Sequence, residues 1–306
     1  LLGSKFCEIT TYVSIAQLEQ LKSMMFKAAN PTVQFFQLPT ASPAISTQQL
    51  RQLLSNGTDS SVENLNSFFK TDIQRALGFT LSEFNQEQIG LLMSDKRFMT
   101  WLRSLGSQFI VVQDENSLLD NSALSTLSYL CALMSEMLSS PGMLPLRFFC
   151  GLHSAAGDPM EGSKGLLRSL ALQLCLIFGD CNLPTSVDPN RLVQGLMMND
   201  LATICTVFSI LVQNVPAGMI YCLIDGASWY NTEARSDDMK VAALCLENLV
   251  AQVQAAARGL VLKVMVTNPT PRQRNSWGVQ ALDLYLEQSL LAGGHRGNEI
   301  GRSTAG

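Results

Sequence analysis

The residues best placed to do chemistry end the apolar run MIYCLIDG, where Met219–Ile224 leads into Asp225 and Gly226. A carboxylate at the carboxyl end of a buried strand can hold the hydration shell of a magnesium ion beside a nucleotide's phosphates. The same Asp-Gly pair is also ordinary turn chemistry, since Gly takes the left-handed conformation and Asp bonds its own backbone. His153 and Ser154, in GLHSAAG, are residue types a hydrolase would use. No G-x-S-x-G surrounds Ser154 and no acid is placed in the sequence to orient His153, so both read as packing residues. Asp158, in a Gly-Asp-Pro step, reads as a turn residue. Trp229 and Tyr230 follow Asp225 closely enough to stack on a ring, or to cover the sheet edge.

Eight cysteines are present, none in a C-x-x-C pair, and the two histidines, His153 and His295, lie far apart. Metal ligation needs clustered ligands, so the cysteines read as buried reduced thiols and the compartment as cytoplasmic.

Positioning Asp225 requires strands. Phe109–Val112, Leu146–Cys150, Met219–Ile224 and Leu260–Val266 are short apolar runs, with a weaker fifth at Ala281–Leu286. Amphipathic segments separate them: Ser122–Leu138, Gly165–Ile177, much of Arg191–Val212, and Met239–Val253. This alternation predicts an α/β domain over residues 104–292, with a mainly parallel sheet and helices on both faces. Residues 1–103 read as helical, with patterns at Tyr12–Ala28, Thr47–Leu54, Ser61–Leu77 and Leu81–Met93, and a linker marked by Pro31, Pro39 and Pro43. These helices either form a small bundle or pack on the following domain. The tail at 293–306 has no apolar pattern and is expected to be disordered.

The net charge of −4 supplies no basic field for a nucleic acid, and no apolar run reaches the ~20 residues of a membrane helix. The first residues lack both the cationic flank and the apolar stretch of a signal peptide, and there is no initiator Met, so a fragment of a longer protein is expected.

Four segments in order, SQFIVVQ, FFCGLHSAAGDPMEGSKGLLRSLALQL, MIYCLIDGAS and LKVMVTNPTPR, resemble the fungal signal-transduction ATPases with numerous domains, the NACHT and nephrocystin-type P-loop proteins. The resemblance covers about Trp101 to Leu291. It implies a P-loop NTPase-like sheet, Asp225 as the Walker B carboxylate, an acidic residue at the position of Asp158, and a sensor loop beginning at Thr267. The family's sensor Arg falls on Pro269. Arg272 or Arg274 could reach the γ-phosphate by another route, or form a solvated basic loop.

The departure that matters is the phosphate loop. Family members with an intact site carry G-x-x-x-x-G-K-[ST], whose glycines let backbone amides wrap the phosphates and whose Lys neutralises them. Here Gln113–Ser122 contains no Gly and no Lys but three acids, Asp114, Glu115 and Asp120. Like charges about 4 Å apart repel by roughly 4 kcal/mol at an effective dielectric of 20. Several such contacts would erase the ~8 kcal/mol of a micromolar complex. Asp120, Asn121 or Ser122 could cap the next helix instead. Ser122, Ser125 and Thr126 are the remaining candidates for cofactor hydroxyls, though without Gly-Lys before them Ser125 and Thr126 read as helix-surface residues.

The resemblance thus implies a degenerate nucleotide-binding domain without hydrolysis and with no cofactor, acting as a regulatory scaffold for unidentified protein partners. One alternative is an ATP or GTP switch with Asp225 on magnesium. Another is a purely structural assembly module, and a homo-oligomer fits either scaffold role.

Overall fold

Two runs, Gly218–Asp225 and Leu260–Thr267, are buried at every position. Strands without a solvent side require helices above and below them. The computed structural model describes residues 43–55, 57, 59–114, 122–277 and 282–285, and places helices on both faces. In chain order the elements are β1 (Ala44–Ser46), α1 (Thr47–Leu54), α2 (Val62–Leu77), α3 (Glu83–Ser94), α4 (Lys96–Arg103), β2 (Gln108–Gln113), α5 (Thr126–Met137) and β3 (Met143–Phe149). They continue with α6 (Gly162–Phe178), β4 (Asn182–Pro184), α7 (Pro189–Met197), α8 (Leu201–Gln213), β5 (Gly218–Asp225), α9 (Glu233–Ala256), β6 (Leu260–Thr267), α10 (Pro271–Trp277) and β7 (Leu282–Tyr285). Short 3-10 turns at Cys150–His153 and Ala227–Tyr230 follow β3 and β5.

The main sheet runs β3-β5-β6-β2-β7 with every neighbouring pair parallel. The chain is therefore α/β, as its alternating pattern predicts. Alternation along the strands assigns the two faces. Ile110, Val112, Tyr221, Leu223 and Met265 pack with α3, α4 and α5, whereas Val111, Ile220, Cys222, Val264 and Val266 pack with α6, α8 and α9. The chain leaves β2 toward the far edge at β3, while it leaves the adjacent β6 in the opposite sense, toward β7. Loops that part in this way open a crevice beyond the carboxyl ends of the strands, where open α/β sheets bind ligands.

The early helices dock on these layers rather than forming a separate bundle: α1 packs on α6, and α2 on α5. Thr47 Oγ1 donates to the carbonyl oxygen of Gly179 at 2.6 Å, and Arg51 pairs with Asp180 at 2.5 Å. β1 pairs antiparallel with β4, a two-stranded ribbon that three-residue segments are too short to announce by periodicity.

Several boundaries move. The predicted helix across Arg191–Val212 is two helices, broken where Asn199 takes φ 50° and Asp200 caps α8 by accepting from the Thr203 amide at 2.8 Å. The second strand starts three residues earlier than predicted and ends at Phe149, before the 3-10 turn that holds Cys150. The predicted helix from Ser122 starts at Thr126, capped by Ser125. The basic stretch after Thr267 is helical, as α10. The predicted Tyr12–Ala28 helix, most of the proline linker and the tail from Gly293 lie outside the described residues.

β3 is an edge strand. Its Arg147 amide donates to Gln173 Oε1 at 3.1 Å and its carbonyl accepts from Gln173 Nε2 at 2.8 Å. The Met143 amide turns back to Ser140 O at 2.9 Å, and Pro145 has no amide hydrogen to offer. Among the described residues no helix is long and apolar enough to cross a membrane.

Candidate functional site

Strand register brings the site together. β5 ends at Asp225 and β6 at Thr267, while α5 begins beyond the end of β2. The Asp225 carboxylate is 1% exposed and accepts two hydroxyl bonds, from Ser128 Oγ at 2.5 Å and Thr267 Oγ1 at 2.7 Å. Thr267 Oγ1 also accepts from the Gly226 amide at 2.9 Å, so its single hydrogen is committed to Asp225. Gly226 takes φ 70°, which turns the chain away from the strand at the left-handed cost only Gly escapes. Burial raises Asp225 from the ordinary 3.8 to about 6, even though the Ser128 and Thr267 bonds pull the other way.

Ser128 is the residue sequence reasoning missed. Ser125 caps α5 and forms a reciprocal box with Ser128: the Ser125 amide donates to Ser128 Oγ at 2.8 Å, and the Ser128 amide to Ser125 Oγ at 3.3 Å. Its S-x-x-S spacing was the available signal, half hidden because the partner at the third helical residue is Ser rather than Glu or Gln. Of the predicted hydroxyls, Ser125 is this cap and Thr126 is buried, so neither is a helix-surface residue; Ser122 is exposed at the mouth. Of the predicted caps, Asp120 and Asn121 lie outside the described residues, as does most of the acidic loop.

Asn268 is the second missed residue. At φ 46° it donates its amide to Val112 O at 2.9 Å, accepts the Asp114 amide on Oδ1 at 2.7 Å, and accepts the Ser228 amide on its carbonyl at 3.0 Å. One side chain and one peptide thus join the ends of β2, β5 and β6. The Asn-Pro step that follows Thr267 is a turn signal that could have found it.

These groups floor a cleft of about 480 Å³ lined by Ser125, Ser128, Asp225, Trp229, Asn231 and Asn268 among others. Its described lining holds one carboxylate, Asp225, and no Lys or Arg. Arg272 is exposed and neither it nor Arg274 lines this cleft; the inward side chain of α10 is Gln273, which donates to Ala227 O at 2.9 Å. Trp229 remains at the cleft, but Tyr230 is fully buried and donates its hydroxyl to His153 O at 3.2 Å, which removes it as a stacking surface.

No family model, curated protein or solved structure matches this chain. What the cleft can bind follows from its own lining. Among the described residues no three His, Cys, Asp or Glu side chains gather as a metal cluster would require. A magnesium ion here would have Asp225 and Ser128 for protein ligands, and both of the Asp225 oxygens are already engaged by hydroxyls. No cationic side chain in the described lining would meet the phosphates that such an ion accompanies. The residues fit a magnesium triphosphate poorly.

His153 corrects the sequence reading differently: two acids do orient it. Asp72 of α2 meets Nε2 at 3.1 Å, and Asp158 meets Nδ1 at 3.1 Å while also accepting the Met160 amide at 2.7 Å. Asp158 is thus both a turn residue and a histidine partner. The ring stacks on Phe148, with centroids 5.0 Å apart, and no nucleophile's hydroxyl is bonded to it: the Ser154 hydroxyl donates to Gly151 O at 3.0 Å. Burial alone would lower the imidazole, but the bond and charge of Asp72, with those of Asp158, outweigh it and hold it above 6.5. A group raised on folding stabilises the fold fully below its unfolded value and loses that contribution as pH rises through the folded one. His153→Gln should therefore cost about 2 kcal/mol near pH 6, and less by pH 9. Denaturant titrations at the two pH values check this; an equal loss at both would exclude a charged clip.

Proposed function

We propose that this chain is a P-loop-like domain that has lost nucleotide hydrolysis and serves as a regulatory or interaction scaffold for protein partners. The observation that supports this reading most is the absence of any cation in the described cleft lining, together with the sequence Gln113–Ser122, which holds three acids and neither Gly nor Lys. A triphosphate entering that cleft would meet like charge and no compensating donor of positive charge. The Asp225 hydroxyl bonds join the ends of β5, β6 and the start of α5, so the former catalytic position works as a structural tie.

Titration calorimetry with Mg-ATP and with Mg-GTP should show no binding tighter than about 1 mM, equivalent to roughly −4 kcal/mol. A dissociation constant in the low micromolar range for either would overturn the proposal. One contact favours a second reading, an active switch: Ser128 and Asp225 are the hydroxyl and carboxylate types that together hold a magnesium hydration shell. In that case the protein would turn over ATP or GTP, and Asp225→Ala would abolish the turnover.

A further inference from the structure

The cysteines among the described residues fall into groups. Cys131, Cys150, Cys175 and Cys222 are completely buried, and burial pushes each thiol up. Cys181 is exposed, but its thiol is also pushed up by the chain around it. Such thiols carry little thiolate and react slowly. Cys205 on α8 and Cys245 on α9 stand apart from these: each is only partly buried, and they face each other across a helix pair.

The register of that pair is set by two independent contacts. Cys245 Sγ lies 4.0 Å from the carbonyl oxygen of Cys205. Further along the same two helices, Gln213 Nε2 donates to Gln252 Oε1 at 3.1 Å. Gln213 is two turns beyond Cys205 and Gln252 two turns beyond Cys245, so α8 and α9 run side by side in the same direction with the cysteines opposite one another. We propose that Cys205 and Cys245 form a peroxide-responsive dithiol, in which Cys245 is the attacking sulfur and Cys205 the resolving one.

The pairing stands on this geometry, and the order of attack on which thiol gives up its proton more readily. The Cys205 thiol and Ser209, one turn further along α8, both stabilise a Cys245 thiolate, and the Cys205 bond is what holds the Cys245 thiol below its ordinary value despite burial. The same bond pushes Cys205 up, keeping it protonated. In the first step the Cys245 thiolate attacks one oxygen of hydrogen peroxide. The O–O bond breaks, hydroxide leaves and takes up a proton as water, and Cys245 becomes a sulfenic acid. In the second, Cys205 attacks that sulfur and gives up its proton. The S–O bond breaks, an S–S bond forms and a second water departs. Two thiols and one peroxide thus give one disulfide and two waters, and the cross-link staples α8 to α9.

The test treats the full chain with hydrogen peroxide and follows each cysteine by mass spectrometry. Wild-type protein should lose two hydrogens on joined peptides containing Cys205 and Cys245, reversibly with dithiothreitol, and Cys245 should react at least tenfold faster than Cys181. Cys205→Ser should stop at a Cys245 sulfenic acid captured by dimedone, and Cys245→Ser should leave Cys205 reduced. Oxidation of Cys181 as fast as Cys245, or no Cys205–Cys245 linkage in wild-type protein, would overturn the assignment whether or not the serine variants fold.

Discussion

Gly151→Ala should destabilise the protein by at least about 3 kcal/mol, beyond what so small a substitution costs at an ordinary site. A Cβ at this position would lie 2.0 Å from the carbonyl oxygen of Ala123 and 2.8 Å from its carbonyl carbon. Both are backbone atoms, so no side-chain rotation relieves the overlap. Either the turn after β3 or the segment leading into α5 must move. Ala123 stands two residues before the Ser125 cap, so moving it draws Ser128 away from Asp225. The substitution should therefore also raise Asp225 further, because one of its two hydroxyl donors is lost. Guanidinium denaturation measures the first effect and carboxyl carbon NMR the second. A variant within about 0.5 kcal/mol of wild type would show that the two segments do not meet as closely as described.

Asp225→Asn should act in the opposite direction. Raising a carboxyl from 3.8 to about 6 penalises its ionised form by about 3 kcal/mol relative to the unfolded chain. Because the folded value is the higher, this contribution is fully favourable below about 3.8 and disappears as pH rises through about 6, leaving a buried charge at neutral pH. An amide escapes the charge and can keep the geometry. Its oxygen accepts from Thr267, its nitrogen donates to Ser128 Oγ, and the Ser128 hydrogen turns to Ser125 Oγ, 3.3 Å away. The variant should be more stable than wild type at pH 7 by about 1–3 kcal/mol, with a flatter stability profile between pH 4 and 6. Loss of stability at pH 7 would mean that the carboxylate itself is required, which is what a working magnesium site would demand.

The two central strands were readable because burial on both faces leaves an uninterrupted apolar run, and Asp225 was readable because the run ends there. Thr267, just past the other run, was marked by the family resemblance and not by the apolar pattern. Ser128 was hidden because it lies inside the apolar stretch of α5, with Leu127, Tyr129 and Leu130 around it, where a hydroxyl looks incidental. Of the two acids around His153, Asp158 is a near neighbour in the chain that was read only as a turn residue, whereas Asp72 is 81 residues away and meets the ring only when α2 docks. Arg272 is solvated, as one of its two readings had it, but on a helix rather than a loop: Pro271 starts α10 and the helical period then turns Gln273 inward. The break at Asn199 was missed because apolar spacing continues on both sides of it.

The outer border of the sheet has a consequence for assembly. Met143, Pro145 and Arg147 are among the β3 residues whose backbone groups face away from β5, where a guest strand would have to bind. The Met143 amide turns home to Ser140, Pro145 has no amide hydrogen and its carbonyl accepts from Arg147 Nη1, and Gln173 holds both the amide and the carbonyl of Arg147. Strand addition by another copy of this chain across that border is therefore disfavoured, because backbone groups a guest strand would need are withdrawn.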